Sequence, residues 1–87
     1  MTTSIPHPDN LPKTFGANVR ARRKAAGISQ FDLADQMNGE GYLQFEQSIL
    51  SRTEAGKRPV GLFEAATLAR LLDTTVDELL TPTTKEA

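Results

Sequence analysis

Hydrogen-bonding side chains follow one another closely between residues 46 and 52. The amide of Gln47 can form two hydrogen bonds with adenine, and the guanidinium of Arg52 can do so with guanine or can contact a phosphate. Glu46 can accept from cytosine, and Ile49 can contact the methyl group of thymine. Two hydroxyl side chains share this segment: Ser48 and Ser51. A helix with these groups on one face is suited to reading base edges, and the alternative is an ordinary solvated helix face.

Residue types that perform catalysis are sparse and scattered. The chain has no Cys, and its one histidine, His7, lies between Pro6 and Pro8. The carboxylates form no recognisable acid–base pair, and no glycine-rich loop suited to phosphate is present. We therefore expect no enzyme, no metal site, no cofactor and no disulfide.

The composition is that of one small globular domain. The chain has 87 residues, of which 38% are hydrophobic and 24% charged, with a net charge of −1. At this size about 60–65% of the unfolded surface is buried, so one modest core is expected. Residues 13–58 carry eight basic and five acidic side chains, whereas residues 59–87 carry two and five. The basic half is compatible with a polyanionic partner but does not prove one.

Neither a membrane nor a secretion signal is apparent. No apolar run approaches the ~20 residues that a transmembrane helix needs, and residues 1–10 lack the basic and apolar regions of a signal peptide. We expect a cytoplasmic protein without membrane contact. Its expected organisation is a disordered N-terminal segment, a helical domain and a disordered C-terminal tail, over residues 1–10, 11–80 and 81–87.

Apolar periodicity with Gly and Pro punctuation predicts five short helices and no sheet. The predicted helices cover about residues 11–26, 29–38, 45–55, 62–72 and 75–80. Ser29 and Thr75 are predicted N-caps, and Gly27 and Gly56 are predicted stops. Apolar residues on the inner stripes should form the core: Phe15, Val19, Leu33, Phe45, Leu50, Leu62, Leu68 and Leu72.

Two segments together carry a family resemblance. Residues 28–34 read ISQFDLA, and residues 47–59 read QSILSRTEAGKRP. Their order resembles the helix-turn-helix domain of the lambda-repressor/Cro family of bacterial and phage regulators. There, Ser-Gln opens the second helix, Leu-Ala anchors it, and Glu-x-Gly-x-Arg closes the recognition helix. Residues 68–72 and 76–80 match the last two helices, so the resemblance covers about residues 14–80 and implies an all-α, five-helix DNA-binding domain.

The chain departs from the family pattern in two places. Ten residues separate Ala34 from Phe45, about six more than is usual, so the angle between the second and third helices cannot be assumed. In this longer turn the chain is similar to actinobacterial members of the family. Asp73 replaces a common Gly after the fourth helix, and Asp tolerates the left-handed conformation better than most residues.

The resemblance assigns roles to residues outside the third helix as well. Gln30 heads the second helix, where its amide can reach a phosphate. Arg23 is implied to form an internal ion pair with Glu54, and Lys57 and Arg58 to lie along the backbone of the duplex. The residues expected to contact double-stranded DNA are Arg20, Gln30, Glu46, Gln47, Ser48, Ile49, Ser51, Arg52, Lys57 and Arg58.

The function implied by the resemblance is a sequence-specific transcriptional regulator, most simply a small repressor that binds a two-fold operator as a homodimer. The dimer interface is expected on apolar residues left outside the inner stripes of the last two helices: Phe63, Leu71, Val76 and Leu80. The alternative is a protein-interaction module or an antitoxin that uses the same domain on a protein partner. The near-neutral charge keeps that alternative open.

Overall fold

The computed structural model describes residues 10–82, and within them the chain forms five α-helices and no strand. The helices are α1 (Leu11–Ala25), α2 (Gln30–Gly39), α3 (Gln47–Glu54), α4 (Leu62–Leu71) and α5 (Val76–Leu80). The all-α, five-helix prediction is confirmed. The rest of the two expected tails, residues 1–9 and 83–87, lies outside the described residues. No helix between residues 10 and 82 is long and apolar enough to cross a membrane.

The helix ends follow from residue types that the sequence places there. Ser29 Oγ accepts a hydrogen bond from the backbone N–H of Asp32 at 3.0 Å, and Thr75 Oγ1 accepts one from the N–H of Glu78 at 3.1 Å. After α4, Asp73 adopts a φ of 58°, the left-handed conformation in which a glycine is more common. These local interactions fix where α2, α4 and α5 begin or end.

Side chains from all five helices and from the turn before α3 form the core. Its buried apolar members are Phe15, Val19, Leu33, Ala34, Met37, Phe45, Leu50, Ala65, Leu68, Ala69, Leu72 and Leu79. The prediction that Leu62 belongs to the core is wrong, because this side chain is 71% exposed. Leu62 is the first residue of α4 and lies beyond the edge of the core, in the wall of an apolar groove that Leu11, Val60 and Val76 also line.

The contact between α1 and the end of α3 is unusually close. A Cβ atom on Gly16 would lie 2.2 Å from the carbonyl oxygen of Thr53 and 2.6 Å from that of Glu54. A Cβ atom on Gly56 would lie 2.7 Å from the Cα atom of Lys13. The two glycines allow the α1 backbone to pack directly on the C-terminal end of α3, which fixes that end relative to the core.

The long turn between α2 and α3 is held at its base. Asn38 Nδ2 donates to the carbonyl oxygen of Phe45 at 2.7 Å, and the N–H of Phe45 donates to Asn38 Oδ1 at 3.2 Å. Tyr42 is hydrogen-bonded to Thr67 of α4 at 3.2 Å between hydroxyl oxygens, and Glu40 forms an ion pair with Arg70. Phe45 therefore ends the turn rather than opening α3, which begins two residues later than predicted, at Gln47.

Candidate nucleic-acid interface

A buried ion pair joins α1 to the end of α3. Arg23 Nε lies 2.6 Å from Glu54 Oε2, and Arg23 Nη2 lies 3.1 Å from Glu54 Oε1. The remaining guanidinium nitrogen of Arg23 donates to the carbonyl oxygen of Ile28 at 2.8 Å. Both side chains are buried, and a buried pair is tolerated only when such hydrogen bonds satisfy its polar atoms. The pair thus holds the start of α2 and the end of α3 in one orientation.

Two glutamines extend this arrangement to the surface. Gln30 Nε2 donates to Glu54 Oε1 at 2.9 Å, and Gln47 Nε2 donates to Gln30 Oε1 at 3.3 Å. The first residue of α2 and the first residue of α3 are therefore linked, through Glu54, to the buried guanidinium of Arg23. This connection orients the amide of Gln47, which is itself exposed.

The remaining face of α3 is free for a partner. Glu46, Ser48, Ser51 and Arg52 are exposed, and no side chain caps the N-terminus of α3 by a hydrogen bond. Unsatisfied N–H groups at a helix N-terminus favour an anionic neighbour. Ile49 differs from these residues, because it is half-buried and packs against the core. The exposed face carries the polar residues that the sequence indicated, with Ile49 at its edge.

The basic residues near α3 fall into two groups. The side chains of Arg20 and Lys57 are exposed and make no hydrogen bond or ion pair with the described residues. Arg58 instead donates to Thr53 Oγ1 at 2.8 Å and lies 3.3 Å from Glu64 Oε1. The geometry makes Arg20 and Lys57 available to a phosphate, whereas Arg58 is engaged within the protein.

Sequence reasoning missed one basic residue of this surface. Lys13 lies in the first turn of α1, and its backbone packs against Gly56, the neighbour of Lys57. Lys13 is exposed, so the close approach of α1 to the turn after α3 brings two lysines to one place. In the sequence the one indication of this contact is Gly56, which follows Ala55. A glycine at this position does not reveal which helix packs against it.

The apolar residues predicted for a dimer interface do not form one uniform surface. Phe63 is 78% exposed. Val76 and Leu80 are half-buried and line the apolar groove that also contains Leu62. Leu71 is half-buried and packs against the core. Among residues 10–82 no cluster of three or more metal-ligating side chains occurs.

Comparison with known proteins places this geometry in a family. A model of the helix-turn-helix domain matches residues 14–81. The chain belongs to the helix-turn-helix domain family. No curated protein matches the sequence. In the terms of this family, α2 and α3 are the two helices of the motif and α3 is its recognition helix.

Solved structures of other proteins have the same fold. The DNA-binding domain of BldD superposes with a TM-score of 0.69 at 27% identity, covering 85% of this chain and 99% of that chain. The DNA-binding domain of S. venezulae BldD gives a TM-score of 0.67 at 28% identity, covering 82% and 97%. A hypothetical transcription factor, NHTF from Neisseria, gives a TM-score of 0.73 at 23% identity, covering 94% and 87%.

Proposed function

We propose that the protein is a sequence-specific DNA-binding transcriptional regulator that acts as a repressor. The family and the structural neighbours support the DNA-binding part of this proposal. The observation that carries it is the hydrogen-bonded connection from the buried Arg23–Glu54 pair through Gln30 to Gln47. Base recognition needs side chains that are held in a fixed direction. The connection provides such support for Gln47, the residue at the start of α3 that would contact a base edge.

In this proposal α3 enters the major groove with its N-terminal end foremost. Gln47 reads a base edge, and Glu46, Ser48, Ser51 and Arg52 contact neighbouring edges or the groove wall. Ile49 contacts a thymine methyl group from the edge of the same face. Gln30 and the exposed cations contact phosphates and set the register of the protein on the duplex. Those cations are Arg20, Lys13 and Lys57, while Arg58 contributes by supporting the turn after α3.

A homodimer on a two-fold operator is the second part of the proposal. A single small domain makes few phosphate contacts, so two copies are needed for useful affinity. The apolar groove lined by Leu62, Val76 and Leu80, together with the exposed Phe63, provides an apolar surface on α4 and α5. Half-sites would then lie about 34–36 Å apart or at a multiple of that distance. An operator overlapping a promoter would block polymerase sterically.

The experiment that tests this function is selection from a pool of random duplexes, followed by titration and sedimentation. The expected result is an inverted repeat whose binding weakens steeply with salt, while a scrambled duplex binds weakly. The free protein should show a concentration-dependent mass. Failure to enrich any duplex would end the DNA-binding proposal. A monomer that binds one half-site as tightly as the full operator would end only its dimeric part.

A second candidate is a protein-interaction module, including the antitoxin of a toxin–antitoxin pair. Leu62 and Phe63, two adjacent and exposed apolar residues, favour it, because a contiguous exposed apolar patch can mark a protein contact surface. The same selection separates the candidates: a pure interaction module enriches no duplex. An antitoxin would enrich a duplex and also bind its toxin.

A further inference from the structure

An exposed aromatic residue lies near Gln47, the side chain that we propose contacts a base edge. Phe31 is the second residue of α2 and is 66% exposed. Leu33 and Ala34 on the same helix are buried, so the apolar stripe of α2 is already in the core without Phe31. Packing of the fold therefore does not explain an aromatic side chain at this position.

The surroundings of Phe31 link it to the start of α3. Phe31 and Gln47 line one surface depression, together with Asp35 and Glu46. The preceding residue, Gln30, is hydrogen-bonded to Gln47. A duplex approached by the amide of Gln47 would thus meet the ring of Phe31 on the same surface.

The charge of this depression selects which part of a duplex can lie against the ring. Asp35 and Glu46 are exposed carboxylates, which repel a phosphate at short range. The base edges of the major groove present one apolar group, the C5 methyl of thymine, and aromatic and aliphatic side chains contact it. The two features suit neighbouring bases: the ring can cover the methyl group of a thymine, while the carboxylate of Glu46 can accept a hydrogen bond from the N4 amino group of an adjacent cytosine.

We propose that Phe31 is a specificity-determining residue that contacts the methyl group of a thymine next to the base read by Gln47. This inference rests on the proposed DNA-binding function and deepens it. It adds a reading element on α2, outside the recognition helix. The preference at one pyrimidine position is then set by an apolar contact rather than by a hydrogen bond.

The experiment uses the duplex selected by the full-length protein. Each thymine is replaced in turn by deoxyuridine, which lacks only the methyl group, and dissociation constants are measured at one salt concentration. One substitution per half-site, beside the position that Gln47→Ala loosens, should weaken wild-type binding about fourfold, the effect of burying one methyl group. Phe31→Ala should bind the thymine and deoxyuridine duplexes equally, and Phe31→Leu should keep part of the difference.

Leu43→Ala is the matched control, because Leu43 is another exposed apolar residue, at 80%, and lies in none of the proposed contacts. It should retain the wild-type deoxyuridine profile. The inference is overturned if Phe31→Ala keeps that profile, if it weakens all duplexes equally, or if the selected half-site has no thymine beside the Gln47 position. These outcomes leave the proposed function intact, whereas a wild-type protein that enriches no duplex removes both.

Discussion

The two ends of α3 are held in different ways. At its C-terminal end Thr53 and Glu54 are buried, Gly16 lets the α1 backbone come into direct contact, and Arg23 neutralises the carboxylate. At its N-terminal end Gln47 is exposed, has no capping side chain before it, and is reached through a long turn. The C-terminal end of α3 is therefore packed against the rest of the protein, and its N-terminal end exposes the polar side chains that could contact a partner.

The difference shows how a small domain can keep reading groups in place without burying them. The buried carboxylate of Glu54 is shared between Arg23 and Gln30, so the rigid end of α3 also orients the amide near its exposed end. Changes at the C-terminal end should therefore affect folding, and changes at the N-terminal end should affect only recognition. Four predictions test this division, from the largest expected effect to the smallest.

The largest effect is expected from Glu54→Ala. Removing the carboxylate leaves the guanidinium of Arg23 buried without its charge partner, which should cost about 3–5 kcal/mol in the free energy of unfolding. Arg22→Ala is the control, because it breaks only the exposed pair with Glu78 and should change the free energy of unfolding little. Urea denaturation of both variants measures the difference, and similar values would mean that the C-terminal end is not the anchor.

At the N-terminal end, Gln47→Ala should leave stability nearly unchanged and cost about 1–3 kcal/mol of specific affinity. Preference at one base pair of the selected duplex should be relaxed. Gln36→Ala removes another exposed amide, on α2, and should change neither quantity. Titration against single-base variants of the duplex checks this. A Gln47→Ala protein that unfolds as readily as Glu54→Ala would contradict the division between the two ends.

Lys57→Ala should weaken binding to all duplexes alike, because a phosphate contact carries no sequence information. The slope of log affinity against log salt should become shallower by about one unit. Arg70→Ala, which removes a positive charge from α4 instead, should leave the slope unchanged. If Lys57→Ala alters the preferred sequence as Gln47→Ala does, the separation of reader from backbone contact is mistaken.

The smallest effect is expected at Glu78, whose carboxylate is exposed, whereas that of Glu54 is buried. The hydroxyl of Thr74 holds the pKa of Glu78 below its ordinary value, and the charge of Arg22 lowers it further. Since the folded pKa is the lower one, this stabilisation is present above the unfolded pKa and is lost as pH falls through the folded value. Melting curves of wild type and Glu78→Gln should therefore differ slightly at neutral pH and converge as pH falls through the lowered pKa of Glu78. A difference that grows on acidification would contradict this sign.

Sequence reasoning succeeded where a local residue type decides the structure. The caps at Ser29 and Thr75 depend on contacts three residues away, and Asp73 adopts the left-handed conformation that its side chain tolerates. Leu62 was misplaced because helical periodicity gives the direction of a side chain but not where the core ends along the helix axis. The start of α3 was misplaced because the backbone of Phe45 is bonded by Asn38, seven residues earlier.

The features of the candidate site also divide into those that local sequence predicts and those that depend on tertiary packing. A polar face over residues 46–52 can be read from spacing, and the resemblance implied a partner for Arg23. The connection between Gln30 and Gln47 could not be read, since it depends on how the long turn returns the chain to α2. Lys13 was missed for a similar reason, because its position beside Gly56 results from tertiary packing.

The two hydrogen bonds between Asn38 and Phe45 bear on how the length of the turn between α2 and α3 can change, in engineering or in evolution. It closes the turn at its base, so chain added at the tip would not change the separation of α2 and α3. Leu43 and Gln44 are exposed there, and the entropy cost of lengthening a closed loop grows only slowly with its length. A peptide grafted between them would interrupt the inner turn in which the N–H of Phe45 also donates to the carbonyl oxygen of Tyr42 at 3.2 Å, while the hydrogen bonds of Asn38 would still hold the base of the longer turn.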